Sequence, residues 1–236
     1  MLLMGAACAA PAAEQQPGAT PAEQKDAQSH LAMSVVTDAE VVQAGTDFTL
    51  AVRCVLGPEW HTYWPGVNDT GVAATLDIAL PEGWTLDGPA WPTPHRSVAP
   101  GDLLDHVLEG EFSLLYSVHV PATTGAGGVD AVHAIKVSAE WMVCKNVCVI
   151  ERSKGEASVR VGGARRESAA GAAVVKEAKI KQPERSVPSG LRLDVSALEF
   201  TAKWEGATSL AFAPSANGVE YPKLLKQGER KADALA

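Results

Sequence analysis

The stretch AEWMVCKNVCVIERS, residues 139–153, places Cys144 and Cys148 four positions apart at the end of an apolar, strand-like run. On a helix this spacing would put both side chains on one face. The valine-rich approach and the Lys-Asn pair after the first cysteine instead favour a tight β-hairpin, with the cysteines facing each other across the turn. Opposed residues on paired strands lie about 4.5–5.5 Å apart, which is within the range of a disulfide bond.

Three kinds of chemistry fit a cysteine pair at this spacing. A static disulfide that closes so short a loop stabilises a fold by only about 2 kcal/mol, against roughly 4.7 kcal/mol for a 100-residue loop, so the bond makes more sense as one that opens and closes. A structural zinc site needs four ligands, usually as two close pairs, and only one pair is present. A thiolate pair can also hold Cu(I), which prefers soft ligands. The spacing favours a redox dithiol but leaves the static disulfide and the metal site open.

Short strand-like segments separated by turns surround the predicted hairpin. In residues 47–56, DFTLAVRCVL, the alternation puts Phe48, Leu50, Val52 and Cys54 on one face. Similar segments lie at residues 74–80, 111–121, 131–144 and 156–162. With no long helix between them, they predict a mainly β protein built as an antiparallel sandwich or barrel. Cys54, on an apolar face, is expected to be a buried small hydrophobe.

Composition divides the chain into four parts. Residues 1–30, with a short apolar start and a Pro-, Ala- and Gln-rich continuation, predict a signal-like, disordered tether. Residues 31–162 hold the strand pattern of the sandwich. Residues 163–190 are Ala-, Lys- and Glu-rich and end in prolines, which is typical of a linker with one short helix. Residues 191–236 add strand candidates but are too short for a core of their own, so we expect a β extension or a truncated second domain.

The charge balance excludes nucleic acid as a partner. Lys and Arg total 20 against 28 Asp and Glu, so the net charge is 20 − 28 = −8, and no lysine- or arginine-dense stretch supplies the positive surface that phosphate binding needs. No run approaches the roughly 18 apolar residues of a membrane-spanning helix, so we predict no transmembrane span. The start of the chain is typical of export, and GAAC, ending at Cys8, resembles a bacterial lipoprotein signal; a lipid anchor at Cys8 is therefore a further hypothesis.

Four motifs, in order along the chain, carry a resemblance to a known family. They are W-H-x-Y-W at residues 60–64, D-x-G at 69–71, W-P-x-P-x-R at 91–96 and E-W-x-x-C-x-x-x-C at 140–148. Over roughly residues 31–162, this ordered set resembles the amino-terminal domain of the DsbD/ScsB family of thiol:disulfide interchange proteins.

The resemblance implies an immunoglobulin-like antiparallel β-sandwich in the periplasm, with protein-disulfide reductase-type activity. Cys144 and Cys148 match the family's redox pair, which takes electrons from a thioredoxin-like domain and passes them to oxidised partner proteins. His61 and Tyr63 fall where the family places two aromatic residues beside the pair. Trp141 precedes the pair as it does in ScsB-like members.

The resemblance also implies how the pair is protected and used. A cap loop is expected within residues 97–106, and we expect the cysteines to be shielded beside His61 and Tyr63, because unshielded thiols lose electrons to the wrong acceptors in an oxidising compartment. In the family the more C-terminal cysteine generally partners the donor, which is Cys148 here. The exchange implies no cofactor and no metal.

The chain also departs from the family. Full-length members continue into a membrane electron conduit and a thioredoxin-like domain with its own C-x-x-C, and these 236 residues contain neither. The chain therefore works with separate partners, a thioredoxin-like donor or a membrane electron conduit and oxidised exported proteins, or it has kept the fold for another purpose. Copper(I) binding or delivery, and a non-catalytic protein-binding sandwich with a structural disulfide, are the alternatives.

Overall fold

In the computed structural model, the described residues are 29–122 and 130–183, together with four short strands further along the chain. Most of the tether predicted for residues 1–30, including Cys8, and most of the extension predicted for residues 191–236 therefore lie outside the described residues. Within the described part of the chain, no helix is long and apolar enough to cross a membrane.

Strands dominate the described residues, and the prediction of a mainly β protein is confirmed. Before the helix the strands are β1 (Leu31–Thr37), β2 (Ala39–Val42), β3 (Asp47–Leu56), β4 (His61–Tyr63), β5 (Thr75–Ala79), β6 (Thr85–Ala90), β7 (His95–Ala99), β8 (Leu103–Glu109), β9 (Glu111–His119), β10 (Val132–Cys144), β11 (Cys148–Val161) and β12 (Arg166–Glu167). The helix α1 (Ala169–Ile180) is followed by β13 (Arg192–Asp194), which pairs with β14 (Glu199–Thr201), and by β15 (Arg230–Lys231), which pairs with β16 (Ala234–Leu235).

Two sheets face each other across one core. The first has the strand order β1-β3-β9-β6, and the second has the order β12-β2-β11-β10-β4-β8-β7. The strand β5 also pairs with β10, so β5 and β4 occupy successive parts of the same edge of β10. Among the described strands, every pairing is antiparallel except that of β2 with β11. The two sheets share one cluster of buried apolar residues, which makes the unit a sandwich.

The longest pairing in the sandwich joins β10 to β11, from Val132 opposite Arg160 to Cys144 opposite Cys148. Along β10 every second residue faces the core, and the buried set on this face is Ile135, Val137, Ala139, Trp141 and Val143. Full burial of a large apolar side chain contributes about 1.5–3 kcal/mol, so this face holds the hairpin firmly against the first sheet. Residues of the opposite parity, including Cys144, therefore point to the outer face of the second sheet.

The opposing wall of the core comes from β3. Phe48, Leu50, Val52 and Cys54 are all at most 3% exposed, and they line one face of the strand as the alternation predicts. Cys54 is a free cysteine, and burial raises the pKa of its thiol far above the usual range. A buried thiol that stays protonated is a poor nucleophile, so Cys54 belongs to the packing of the core.

The helix α1 lies within the segment predicted as a linker and packs on the outer face of the first sheet. Val175 and Ala178 contact a buried cluster that contains Ala51 of β3 and Leu115 of β9. The Ser168 side chain caps the helix by accepting the Gly171 N–H over 3.3 Å. The helix therefore covers the side of the sandwich that faces away from the disulfide.

Gly171 allows α1 to approach β1 closely, and its replacement tests that contact. A Cβ atom at this position would lie 1.9 Å from the Thr37 carbonyl oxygen, which is a backbone atom. We expect Gly171→Ala to lower the free energy of unfolding in urea by about 1–3 kcal/mol through overpacking, although alanine has the higher helix propensity. Gly163→Ala is the matched control, because a Cβ there meets nothing within 4 Å. Equal stability of the two variants would show that the helix does not lie this close to β1.

Candidate disulfide site

A disulfide joins Cys144 and Cys148 across the end of the β10–β11 hairpin. The two residues are directly opposed in the strand register, and their Cα atoms lie 4.1 Å apart. The intervening residues form the turn, in which the Lys145 N–H donates to the Val147 carbonyl over 3.1 Å. The hairpin predicted from the sequence is confirmed.

The two sulfurs differ in their access to solvent. Cys144 is 2% exposed and packs with Tyr63 and Val107, whereas Cys148 is an exposed residue at the start of β11. Shielding was expected for both cysteines, and the structure provides it for Cys144. An incoming thiolate therefore meets the sulfur of Cys148 first.

The strand β4 brings His61 and Tyr63 beside the disulfide. His61 is opposite Cys144 in the register, and the two rings on β4 make an edge contact with 5.5 Å between centroids. The Tyr63 hydroxyl lies 3.2 Å from Cys144 Sγ and 3.9 Å from Cys148 Sγ. Tyr63 is 1% exposed, and its ring covers the sulfur of Cys144, which is the inner sulfur of the pair.

A short loop at residues 68–71 lies over Tyr63 and is fastened to β8. The side chains of Asn68 and Asp69 accept backbone N–H groups of β8, each over 2.7 Å. Thr70 gives both its N–H and its hydroxyl to the Asp105 carboxylate, over 2.9 and 2.6 Å. The sequence singled out none of Asn68, Thr70 and Asp105 as site residues, although the D-x-G motif marks the segment.

Gly71 completes this cover because only a residue without a side chain fits there. A Cβ atom at Gly71 would lie 2.1 Å from Cζ of the Tyr63 ring. The glycine of the D-x-G motif therefore allows the loop backbone to lie directly on the tyrosine. The neighbouring Ala73 forms an isolated bridge with Tyr63, which holds the end of the loop in place.

The cap loop and Trp141 differ from the expectations. Residues 97–106 form the end of β7, a turn and the start of β8 rather than a loop over the cysteines, because β7 and β8 pair along their length. Trp141 is 0% exposed and lies in the core against Phe112, at 6.1 Å between ring centroids. Its position has the opposite parity to Cys144, so it supports the hairpin from inside and is not placed to shield the sulfurs or to touch a partner.

Two further pairs of side chains lie near the turn. The Lys145 ammonium forms an ion pair with Glu59, which lowers the pKa of that carboxyl through the hydrogen bond. Trp60 stacks on His30, with ring centroids 3.7 Å apart. Lys145, Trp60 and His30, with Pro58, line a cleft of about 410 Å³ beside the turn.

The protonation states at the site follow from burial. Burial lowers the pKa of His61, and the charges of Glu109 and Asp105 oppose this shift. Burial also raises the pKa of the Tyr63 hydroxyl, and the Asp105 charge adds to that effect. Tyr63 therefore keeps its proton at neutral pH and can donate a hydrogen bond. Among residues 29–122 and 130–183, no group of three or more His, Cys, Asp or Glu side chains is arranged to hold a metal ion.

These features define a class of protein, an antiparallel β-sandwich that carries a disulfide across an exposed hairpin end. The family model described as thiol:disulfide interchange protein DsbD, N-terminal, matches residues 29–159, which is more than half of the chain. The chain therefore belongs to the DsbD N-terminal domain family, and the resemblance seen in its motifs is confirmed. The immunoglobulin-like sandwich expected from that resemblance is confirmed as well.

Solved structures similar to the chain include two domains of the same kind. The N-terminal periplasmic domain of ScsB from Proteus mirabilis is 16% identical with a TM-score of 0.42, and the match covers 69% of this chain and 56% of that one. The Neisseria meningitidis DsbD n-terminal domain in the reduced form is 13% identical with a TM-score of 0.30, and the match covers 56% of this chain and 89% of that one. The chain thus spans little more than half of the ScsB structure. No curated protein sequence matches the chain.

Replacement of Gly71 tests the cover of the inner sulfur. In Gly71→Ala the new methyl group must displace either the loop or the Tyr63 ring, so we expect a loss of about 1–3 kcal/mol in the free energy of unfolding. We also expect faster alkylation of Cys144 by iodoacetamide, measured in chains that carry Cys148→Ser. Val72→Ala, at a residue that is 65% exposed, is the matched control. Unchanged alkylation in Gly71→Ala would contradict the close contact between the loop and the ring.

The lowered pKa of His61 predicts a pH dependence of stability. In the unfolded chain the His61 imidazole has its usual pKa of about 6.5, whereas in the folded chain its pKa is lower. As the pH falls, the unfolded chain therefore binds this proton before the folded chain does. The stabilisation from neutral His61 is thus fully present above about pH 6.5 and is lost as the pH falls from there through the folded pKa. We expect the Tm of His61→Phe, measured by thermal unfolding at a series of pH values, to fall less steeply below about pH 6.5 than the Tm of the wild type. His95→Gln, at an exposed position on β7, is the control, and parallel curves for wild type and His61→Phe would refute the prediction.

Proposed function

We propose that the chain is a periplasmic thiol-disulfide exchange module that relays electrons through Cys144 and Cys148. The donor would be a thioredoxin-like protein or a membrane electron conduit, and the acceptors would be oxidised exported proteins. The observation that carries the proposal is a disulfide with one exposed and one buried sulfur, in a chain of the DsbD N-terminal family. Membership of that family also supports the periplasmic location, while a lipid anchor at Cys8 remains a hypothesis.

Reduction of the pair begins at the exposed sulfur. A donor thiolate attacks Cys148 Sγ, the Cys144–Cys148 bond breaks, and Cys144 leaves as a thiolate. The donor's second thiolate then attacks the donor sulfur that is bonded to Cys148 in the mixed disulfide, and Cys148 is released. The donor ends as a disulfide and the pair ends as two thiols, which balances a two-electron transfer.

Oxidation of the pair runs in the opposite sense. The Cys148 thiolate attacks a disulfide of the acceptor and forms a mixed disulfide, and one acceptor sulfur leaves as a thiolate. Cys144 then attacks Cys148 Sγ, which releases the second acceptor sulfur and re-forms the Cys144–Cys148 bond. In both directions Cys148 is the cysteine that bonds to the partner, because it is the exposed one. Cys144 is the leaving group during reduction and the attacking group of the second step during oxidation.

A purely structural role explains the bond poorly. The two cysteines are separated by 4 positions in sequence, and the hairpin already holds them opposite each other through a continuous strand register. By the chain-entropy relation so local a link adds only about 2 kcal/mol. The fold gains little from this disulfide, which favours a bond that is made and broken during function.

A redox titration tests the proposal. We expect thiol alkylation across a glutathione series to show a reversible two-electron transition that either Cys144→Ser or Cys148→Ser abolishes. Structural disulfides resist reduction by this buffer and have potentials below about −300 mV. A pair that stays oxidised below that value would support a non-catalytic sandwich with a structural disulfide.

The single-cysteine variants also separate the two roles. With glutathione disulfide, Cys144→Ser keeps the exposed thiol and is expected to form a mixed disulfide on Cys148 at least about tenfold faster than Cys148→Ser forms one on Cys144. Mass spectrometry of the intact chain measures both rates. Equal rates, or a faster reaction at Cys144, would contradict the assignment of Cys148 as the sulfur that meets the partner.

A further inference from the structure

A row of hydroxyl groups leads from the buried sulfur to a buried carboxylate. The Tyr63 hydroxyl lies 3.2 Å from Cys144 Sγ and 3.2 Å from the Thr70 hydroxyl. The Thr70 hydroxyl lies 2.6 Å from Asp105 Oδ2, and the other Asp105 oxygen accepts the Thr70 N–H. Asp105 is 6% exposed, so a carboxyl group this deep in the protein depends on those hydrogen bonds.

The direction of the hydrogen bonds in the row depends on whether Cys144 carries a proton. Thr70 has one hydroxyl proton, and its short bond to Asp105 uses it, because a carboxylate is the strongest acceptor present. While the disulfide is intact, the Tyr63 hydroxyl donates to Cys144 Sγ, which has no proton of its own. Once Cys144 is a thiol it has a proton to give, and the Tyr63 hydroxyl can then donate to Thr70 and accept the proton of the thiol.

We propose that Tyr63, Thr70 and Asp105 form a proton path that deprotonates Cys144 when its thiol attacks Cys148. Tyr63 touches the reacting sulfur and is the catalytic residue of the path, whereas Thr70 and Asp105 act through it and are positioning residues. The proposal rests on the exchange function proposed above and concerns only its second step. It gives the D-x-G loop a role in proton transfer besides its role as the cover of Tyr63.

The proton transfer belongs to the step in which Cys144 resolves the mixed disulfide. The Cys144 sulfur forms its bond to Cys148 Sγ, the bond between Cys148 and the acceptor breaks, and the acceptor sulfur leaves with the electron pair. At the same time the Cys144 proton moves to Tyr63, the Tyr63 proton moves to Thr70, and the Thr70 proton moves to Asp105. Thr70 is an exposed residue, so the proton can then pass from this pair to water or to the released thiolate.

Burial explains why Cys144 needs such a path and Cys148 does not. Cys144 is 2% exposed and Tyr63 is 1% exposed, so water cannot easily take the proton of the inner thiol. Cys148 is exposed and can lose its proton to solvent directly. A proton-transfer group held within hydrogen-bond reach typically accelerates a reaction by about 10²–10⁴-fold.

A small chromogenic disulfide, 5,5′-dithiobis(2-nitrobenzoate), separates the two steps in one experiment. The reduced full chain, carrying Cys8→Ser, should release one coloured thiolate when Cys148 attacks and a second when Cys144 resolves the mixed disulfide. Cys54 is buried, and its contribution is checked with Cys54→Ser. The first phase is an internal control for the changes at Thr70 and Asp105, because only Tyr63 of the proposed path lies near Cys148 Sγ, at 3.9 Å.

We expect the second phase alone to slow in the variants, by about a hundredfold in Tyr63→Phe and by about tenfold in Thr70→Val and Asp105→Asn. Thr70→Ser keeps the hydroxyl and is expected to resolve at the wild-type rate. It is the matched control for Thr70→Val and shows whether a loss of packing alone causes the effect. Circular dichroism confirms that each variant is folded, and Tyr63→Phe and Thr70→Ser keep the test valid if Asp105→Asn does not fold.

The pH profile of the second phase adds a readout that a structural role would not change. Without the path, Cys144 must lose its proton to solvent, so the rate in Thr70→Val should rise about tenfold per pH unit between about pH 6 and pH 8, more steeply than in the wild type. Other titratable groups on the elements around Cys144 and Tyr63 are His61 on β4, Asp105 and Glu109 on β8, His95 on β7, Glu140 on β10, Asp69 in the loop and the Lys145–Glu59 pair at the turn. They are present in both proteins, so the comparison isolates the Thr70 hydroxyl.

The outcomes distinguish this proposal from the exchange function. Equal second-phase rates and equal pH profiles in wild type and Thr70→Val would overturn the proton path while a reversible redox transition still stood. Slowing of both phases together would also overturn it, because that result indicates general disruption of the site. If the wild-type pair cannot be reduced at all, the exchange function fails first and the proton path fails with it.

Discussion

The pairing of β10 with β11 determines on which face of the second sheet the two sulfurs lie. Side chains alternate along a strand, so this register sends Trp141 into the core and Cys144 to the outer face. A slip by one residue would exchange the two faces and place the disulfide between the sheets. Burial of Trp141 and its neighbours excludes that slip, and backbone pairing of β4 with β10 places Tyr63 beside Cys144. The packing of the core therefore places the sulfurs.

The parts of the fold that the sequence predicted depend on local signals. A valine-rich run with Lys-Asn after it is enough to indicate the hairpin, and strict alternation in residues 47–56 is enough to bury Cys54. Alternation also puts His61 and Tyr63 on a common face, while their position beside the cysteines came from the resemblance. Sheet order came from neither source, because it depends on contacts between strands that are far apart in the chain.

The parts that the sequence did not predict depend on long-range contacts. Thr70 and Asp105 are 35 positions apart, and nothing local marks the pair as a hydrogen-bonded unit. The closeness of Trp141 to Cys144 in sequence suggested closeness in space, but the odd spacing of three places them on opposite faces of β10. Gly71 was visible as part of a motif, yet its reason is the Tyr63 ring beneath it, eight positions earlier in the chain.

The cover of Cys144 is attached to β8 and not to the hairpin that carries the sulfurs. Asn68, Asp69 and Thr70 all bond to β8, and β4 is held between β8 and β10 by backbone pairing. Breaking the sulfur–sulfur bond removes none of these contacts. It frees only the short turn between the two cysteines, and so short a loop gains little conformational entropy when it is opened. We therefore expect Cys144 to stay under Tyr63, and Cys148 to stay exposed, when the pair is reduced. The unequal access of the two sulfurs is a property of the fold, so in the proposed exchange cycle we expect the same sulfur to meet the partner in both halves.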